Sequence, residues 1–189
     1  TRLNRDIEII RTSESFPFVA LKEIMKVKKY ISREHVEDGL EVSAMREANK
    51  AHVFLLYILL SKTDADDWGG HRVASQKLED LERHHIFPKE YLMKELELED
   101  EDDPAKTEVI LSNLGNITFI LGSVNSGIGA TPPSEYLGQY ADRLSSHFIP
   151  TDQRFWTKEA YDNEEFQKER AKLIFNEAKK NFPDVFIEA

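Results

Sequence analysis

Residues 81–92 read LERHHIFPKEYL, two adjacent histidines, His84 and His85, in an apolar frame that a proline closes. LERHHIF fits a short extended segment ending at Pro88, and PKEYLMKEL predicts a helix with that proline at its first position. Successive residues of a strand point to opposite faces, so His84 and His85 can serve one site only where the strand ends or bends. Pro88 supplies such an ending. An imidazole ligates a metal through one nitrogen and titrates close enough to neutrality to act as a general base, so the pair has the chemistry to divide two tasks. The plainer reading is a core histidine satisfied by a backbone carbonyl beside a solvent-exposed one.

Downstream, LGNITFIL (114–121) is rich in β-branched and aromatic residues and bounded by Gly115 and Gly122, which predicts a second strand. SVNSGIGATPPSEYL follows, with Ser123 as the cap of a short helical turn and Pro132-Pro133 opening a helix at Ser134. The order strand, acidic loop, strand, short helix puts the histidine pair at one strand end and VNSG just past the next. Upstream, FPFVALKEIMKVKKYI (16–31) predicts an amphipathic helix. A second helix is expected from about 41 to 62, apolar all round near its end and closed by TDADDWGG. The segment 163–181 predicts an amphipathic helix stopped by Pro183.

A chain of 189 residues, 40% hydrophobic and 32% charged, has the size and composition of one globular domain rather than a disordered segment. With no cysteine it holds no disulfide and no thiolate metal cluster. VFLLYILL (53–60), the longest apolar run, is far shorter than the roughly 20 residues of a membrane span. A cytoplasmic protein is the expectation. The net charge is −10, and ELELEDEDD (95–103) carries seven acidic residues and no basic one. Most of the excess is therefore one solvated loop, and the remainder excludes binding nucleic acid by bulk positive charge. The start at Thr1 with TRLNRDIEII reads as the C-terminal fragment of a longer protein.

HHIFP, LGNITFIL and VNSGIG together resemble the HNH (ββα-metal) nuclease motif. More narrowly, HHIFPKEYL, LGNITFILGSVNSGIGATPPSEYL and then Trp156 followed by Arg170 resemble the domain at the C-terminus of GmrSD-type restriction proteins. The motif-bearing match runs from about 81 to about 181. The resemblance implies His84 and Asn125 as metal ligands, His85 as the general base, and Asn116 as the side chain bracing the loop that carries the base. Neither ligand is charged, so water and substrate phosphate would complete the shell, which favours magnesium or manganese. DNA is the implied substrate, and a ParB-like nucleotide-hydrolysing domain is the implied partner in cis.

Phosphodiester hydrolysis fits these residue types, since it needs a deprotonated water in line with the leaving oxygen and a cation to absorb charge. Arg170 is a candidate phosphate contact, or equally an ion-pair partner of Glu169. His71 and His147 read as turn or surface histidines, and Phe155 and Trp156 as core. The expected fold is α+β, predominantly helical with a small ββα-metal core, in a single domain: a helical part to about 78, the core over about 79–140, and further helices to 189. The expected function is metal-dependent DNA cleavage in defence against foreign, modified genomes. The alternative is a catalytically idle HNH-like DNA-binding or interaction module.

Overall fold

The computed structural model describes residues 11–12, 50–98 and 103–183. The helix expected over 16–31, the first part of that over 41–62, and the middle of the acidic run lie outside them. KAHVFLLYILLSK forms helix α1 (Lys50–Lys62), whose Leu56, Leu59 and Leu60 are buried, as its apolar run requires. No helix among the described residues is long and apolar enough to cross a membrane.

The sheet consists of strand β1 (Leu81–His85) paired antiparallel with β2 (Ile117–Leu121), Leu81 opposite Leu121 and His85 opposite Ile117. Two short strands alone are at best marginal in water. Here helices cover both faces, which makes the fold α+β and mainly helical. Leu81, Ile117 and Phe119 pack with α1 and with Ala171 and Ile174 of the long C-terminal helix, while Ile120 joins Trp68, Phe87 and Tyr136 on the other side. β2 is thus buried on both faces, as its unbroken ITFIL run permits.

Between the strands lie α2 (Lys89–Glu95) and α3 (Pro104–Ser112). Pro88 caps α2 from just outside rather than occupying its first turn. α3 replaces what the sequence reading leaves as loop. Asp103 accepts from the backbone of Ala105 at 2.9 Å and Lys106 at 3.3 Å, and Pro104 pre-sets the first turn. β2 begins at Ile117, later than expected, because the Asn113 side chain accepts from Asn116 N at 3.0 Å and winds 114–116 into a tight turn. The chain passes directly from β2 into α4 (Gly122–Ile128), where Ser123 lies inside the helix instead of capping it. α5 (Pro133–Tyr136) starts one residue before the expected Ser134. Then follow α6 (Lys158–Asp162) and α7 (Glu165–Asn181), which ends before Pro183, with Phe155 and Trp156 in the core as expected.

His147 occupies a turn but is fully buried, which corrects the surface reading. Its Nε2–H donates to the carbonyl of Asp66 at 2.8 Å, so Nδ1 accepts from the Thr118 hydroxyl at 2.7 Å. Burial lowers its pKa to about 4, against the raising effect of the bond to Asp66. Above pH 6.5 it is neutral folded and unfolded alike. As pH falls from there toward 4, only the unfolded chain takes the proton, so stability is lost across that window and the loss levels off below it. At about 1.4 kcal/mol per pKa unit, the loss is on the order of 3 kcal/mol. We expect the urea midpoint to drop between pH 7.5 and 4.5 and to drop less in His147→Gln, whose amide can keep both bonds. Parallel loss in both proteins would remove His147 as the cause.

Candidate active site

β1 ends at His85, and the chain turns through 86–88 into α2. That ending is what lets adjacent strand residues share a site: His84 and His85 both line one open cleft of about 320 Å³, together with Pro88, Lys89, Asn125 and Gly129. Asn116 fixes the turn. Its Oδ1 accepts from Phe87 N at 2.7 Å, its Nδ2 donates to the carbonyls of Phe87 at 3.0 Å and Leu111 at 3.1 Å, and its own carbonyl accepts from Ile86 N at 2.9 Å. A fully buried amide with every contact used this way holds the segment following His85 against the start of β2.

His84 is 2% exposed, with the Trp68 ring edge-on at 4.8 Å. Nδ1 lies 2.6 Å from Asn125 Oδ1 and Nε2 lies 3.1 Å from the Tyr136 hydroxyl. The outer contacts assign the polarity of both. Tyr136 has one hydroxyl proton, which goes to the carbonyl of Ile86 at 2.6 Å, so its oxygen offers His84 a lone pair and Nε2 must be the N–H. Asn125 Nδ2 donates to Glu82 Oε2 at 2.7 Å, so Oδ1 is the atom turned to His84. Burial lowers the His84 pKa to about 4, which leaves the ring neutral and Nδ1 without a proton. Two acceptors therefore converge. A cation would satisfy both, so the residues present fit a metal ion, which His84 Nδ1 and Asn125 Oδ1 could hold. Among the described residues no cluster of three His, Cys, Asp or Glu side chains gathers.

His85 Nε2 lies 3.2 Å from the hydroxyl of Ser112, the last residue of α3. Burial, the Lys89 ammonium and His84 lower its pKa to about 3. At neutral pH its proton-accepting form is the whole population.

Arg170 is no phosphate contact. It is fully buried, and its guanidinium donates to the carbonyls of Gly115 at 2.6 Å, Leu114 at 3.4 Å and His147 at 3.4 Å. It does not pair with Glu169, which bonds Lys172 instead. His71 is exposed beside Asp67 and does not line the cleft. Sequence reasoning misses Ser112, Tyr136 and Glu82. Glu82 carries a signal, since it precedes His84 by two residues on a strand and so shares its face. Tyr136 and Ser112 reach the histidines only through tertiary packing.

A model of the family described as GmrSD restriction endonucleases, C-terminal domain, matches residues 30–175. The match covers well over half of the chain, and the chain belongs to that family. It is a nuclease domain of restriction proteins. No curated protein and no solved structure matches the chain.

Proposed function

We propose that this domain is an HNH-type, divalent-metal-dependent DNA endonuclease serving as the cleaving part of a restriction protein that acts on foreign, modified DNA. The observation that carries the reading is the convergence of His84 Nδ1 and Asn125 Oδ1 at 2.6 Å in the cleft that His85 also lines. His84 and Asn125 hold the cation. His85, neutral and anchored on Ser112, takes the proton of the attacking water. Asn116 keeps that histidine's turn rigid. A bound magnesium or manganese ion supplies the positive charge that neutralises the phosphate and the departing 3′ oxygen. Lys89 adds a fixed positive charge on the cleft wall, where a phosphate would lie.

A chain with net charge −10 does not hold DNA by its overall field. Recognition is therefore local to the cleft or borrowed from another domain, and a ParB-like nucleotide-hydrolysing domain in cis fits that need. The test combines calorimetric titration of Mg²⁺ or Mn²⁺ with cleavage of supercoiled plasmid. The wild-type chain is expected to bind the cation and cut, EDTA to stop cutting, and His84→Ala and Asn125→Ala each to weaken binding at least about tenfold. Cutting that persists in EDTA would sink the metal assignment. A chain that shifts DNA in a gel yet binds no cation would be an idle HNH-like module instead.

A further inference from the structure

Gly122 is a glycine whose backbone does not need one: it stands in the first turn of α4 and is not among the positive-φ glycines, Gly70 and Gly129. The reason lies in what faces it. A Cβ at Gly122 would sit 2.6 Å from Glu82 Oε1 and 3.0 Å from its Cδ. The carboxylate thus lies flush on the backbone where α4 begins, and its other oxygen takes the Nδ2–H of Asn125, three residues further along that helix, at 2.7 Å.

An asparagine amide has a carbonyl and an NH₂ of nearly equal shape, so rotation by half a turn costs little unless its partners forbid it. The rotated amide would present Nδ2–H to the lone pair on His84 Nδ1. The two residues would then satisfy each other and leave no opening for a cation. A carboxylate only accepts, so Glu82 admits one orientation: NH₂ toward itself, carbonyl toward His84. We propose that Glu82, seated on Gly122, is a positioning residue that holds the Asn125 carbonyl toward His84 and so keeps the pair open to a metal ion. This rests on the metal-dependent reading above.

Mn²⁺ binding to the full chain, followed by calorimetry, tests it with four variants. Glu82→Ala is expected to weaken binding tenfold or more, the size of effect seen when an outer partner of a metal ligand is removed. Gly122→Ala is expected to do the same, because the new methyl displaces the carboxylate. It should leave the thermal transition unchanged or higher, since alanine favours a helix over glycine by up to about 1 kcal/mol. The double variant should bind no more weakly than either single one, as both act through one contact. Glu82→Gln should recover most of the affinity, its carbonyl still accepting from Nδ2. Unchanged affinity in Glu82→Ala and Gly122→Ala would overturn the proposal. A Glu82→Gln variant as weak as Glu82→Ala would also overturn it, by showing that charge rather than orientation acts. If the wild-type chain itself takes up no Mn²⁺, the metal-dependent reading fails first and this inference with it.

Discussion

Replacing His85 with alanine lowers plasmid cleavage roughly 100- to 10,000-fold, the usual contribution of a positioned general base, while the fold survives. The two effects separate because of how the side chain is held. His85 is half-buried at a strand end, and among the described residues its ring hydrogen-bonds Ser112 at 3.2 Å, so its loss removes a hydrogen bond worth about 1 kcal/mol. It carries no charge at neutral pH, so no ion pair is broken. The pKa near 3 belongs to a cleft without substrate, where burial and Lys89 both oppose protonation. A phosphodiester adds a negative charge beside the ring and pushes the other way, so proton uptake becomes easier once DNA is bound. Circular dichroism and cation titration of His85→Ala should match the wild type, with cleavage alone lost. Undiminished cutting would remove the assignment. Imidazole added to the variant should restore part of the rate, because truncation leaves space on the open cleft beside Ser112.

How much of this was readable follows from where each signal resides. The histidine pair and the two strands announce themselves locally, through a proline after the first strand and glycines either side of ITFIL, whereas Asn116 and Asn125 stand out only through the resemblance to the nuclease motif. The strands and their order follow from those marks. α3 was hidden because the acidic run reads as one loop to the next strand, although Asp103-Pro104 is a helix-start signal in plain view. With α3 unrecognised, Ser112 had no route to His85. Tyr136 comes 52 residues after His84, and the Glu82 contact to Gly122 exists only once β1 and β2 pair. No spacing rule carries such contacts. Arg170 is different, because its signal was present and unused. Phe166, Arg170, Ile174 and Ala178 recur at four-residue steps, which puts the arginine on the apolar face of α7. A charge on that face is buried, and its partners must be sought inside.

Arg170 yields the largest stability effect: Arg170→Ala is expected to cost more than about 4 kcal/mol, the level reached when a buried polar anchor is lost and a cavity remains. The opposing view is that a buried charge is a burden and that an apolar residue of similar length relieves it. The burden is real here. Burial lowers the guanidinium pKa to about 9, no carboxylate pairs with it among the described residues, and its Nε has no partner. What decides the outcome is the nature of the partners. They are the backbone carbonyls of Leu114, Gly115 and His147, which no substitution at 170 can remove. The Leu114 carbonyl keeps the Ile117 N–H, but those of Gly115 and His147 lose this donor, and a carbonyl left unpaired in the core costs about 1–3 kcal/mol. Relief of the charge therefore does not offset their loss, and Arg170→Met should still lose on the order of 2–4 kcal/mol in urea unfolding. A further load acts in the same direction. Phe148, just after the His147 carbonyl, is held at φ 57, a left-handed conformation that a bulky side chain adopts only when its surroundings impose it. Arg170→Lys keeps the charge but reaches fewer carbonyls and should fall between wild type and methionine. A methionine variant as stable as the wild type would show that the carbonyls find other donors. Otherwise loosening at 170 spreads through the 114–116 turn to Asn116, and from there to the segment that follows His85.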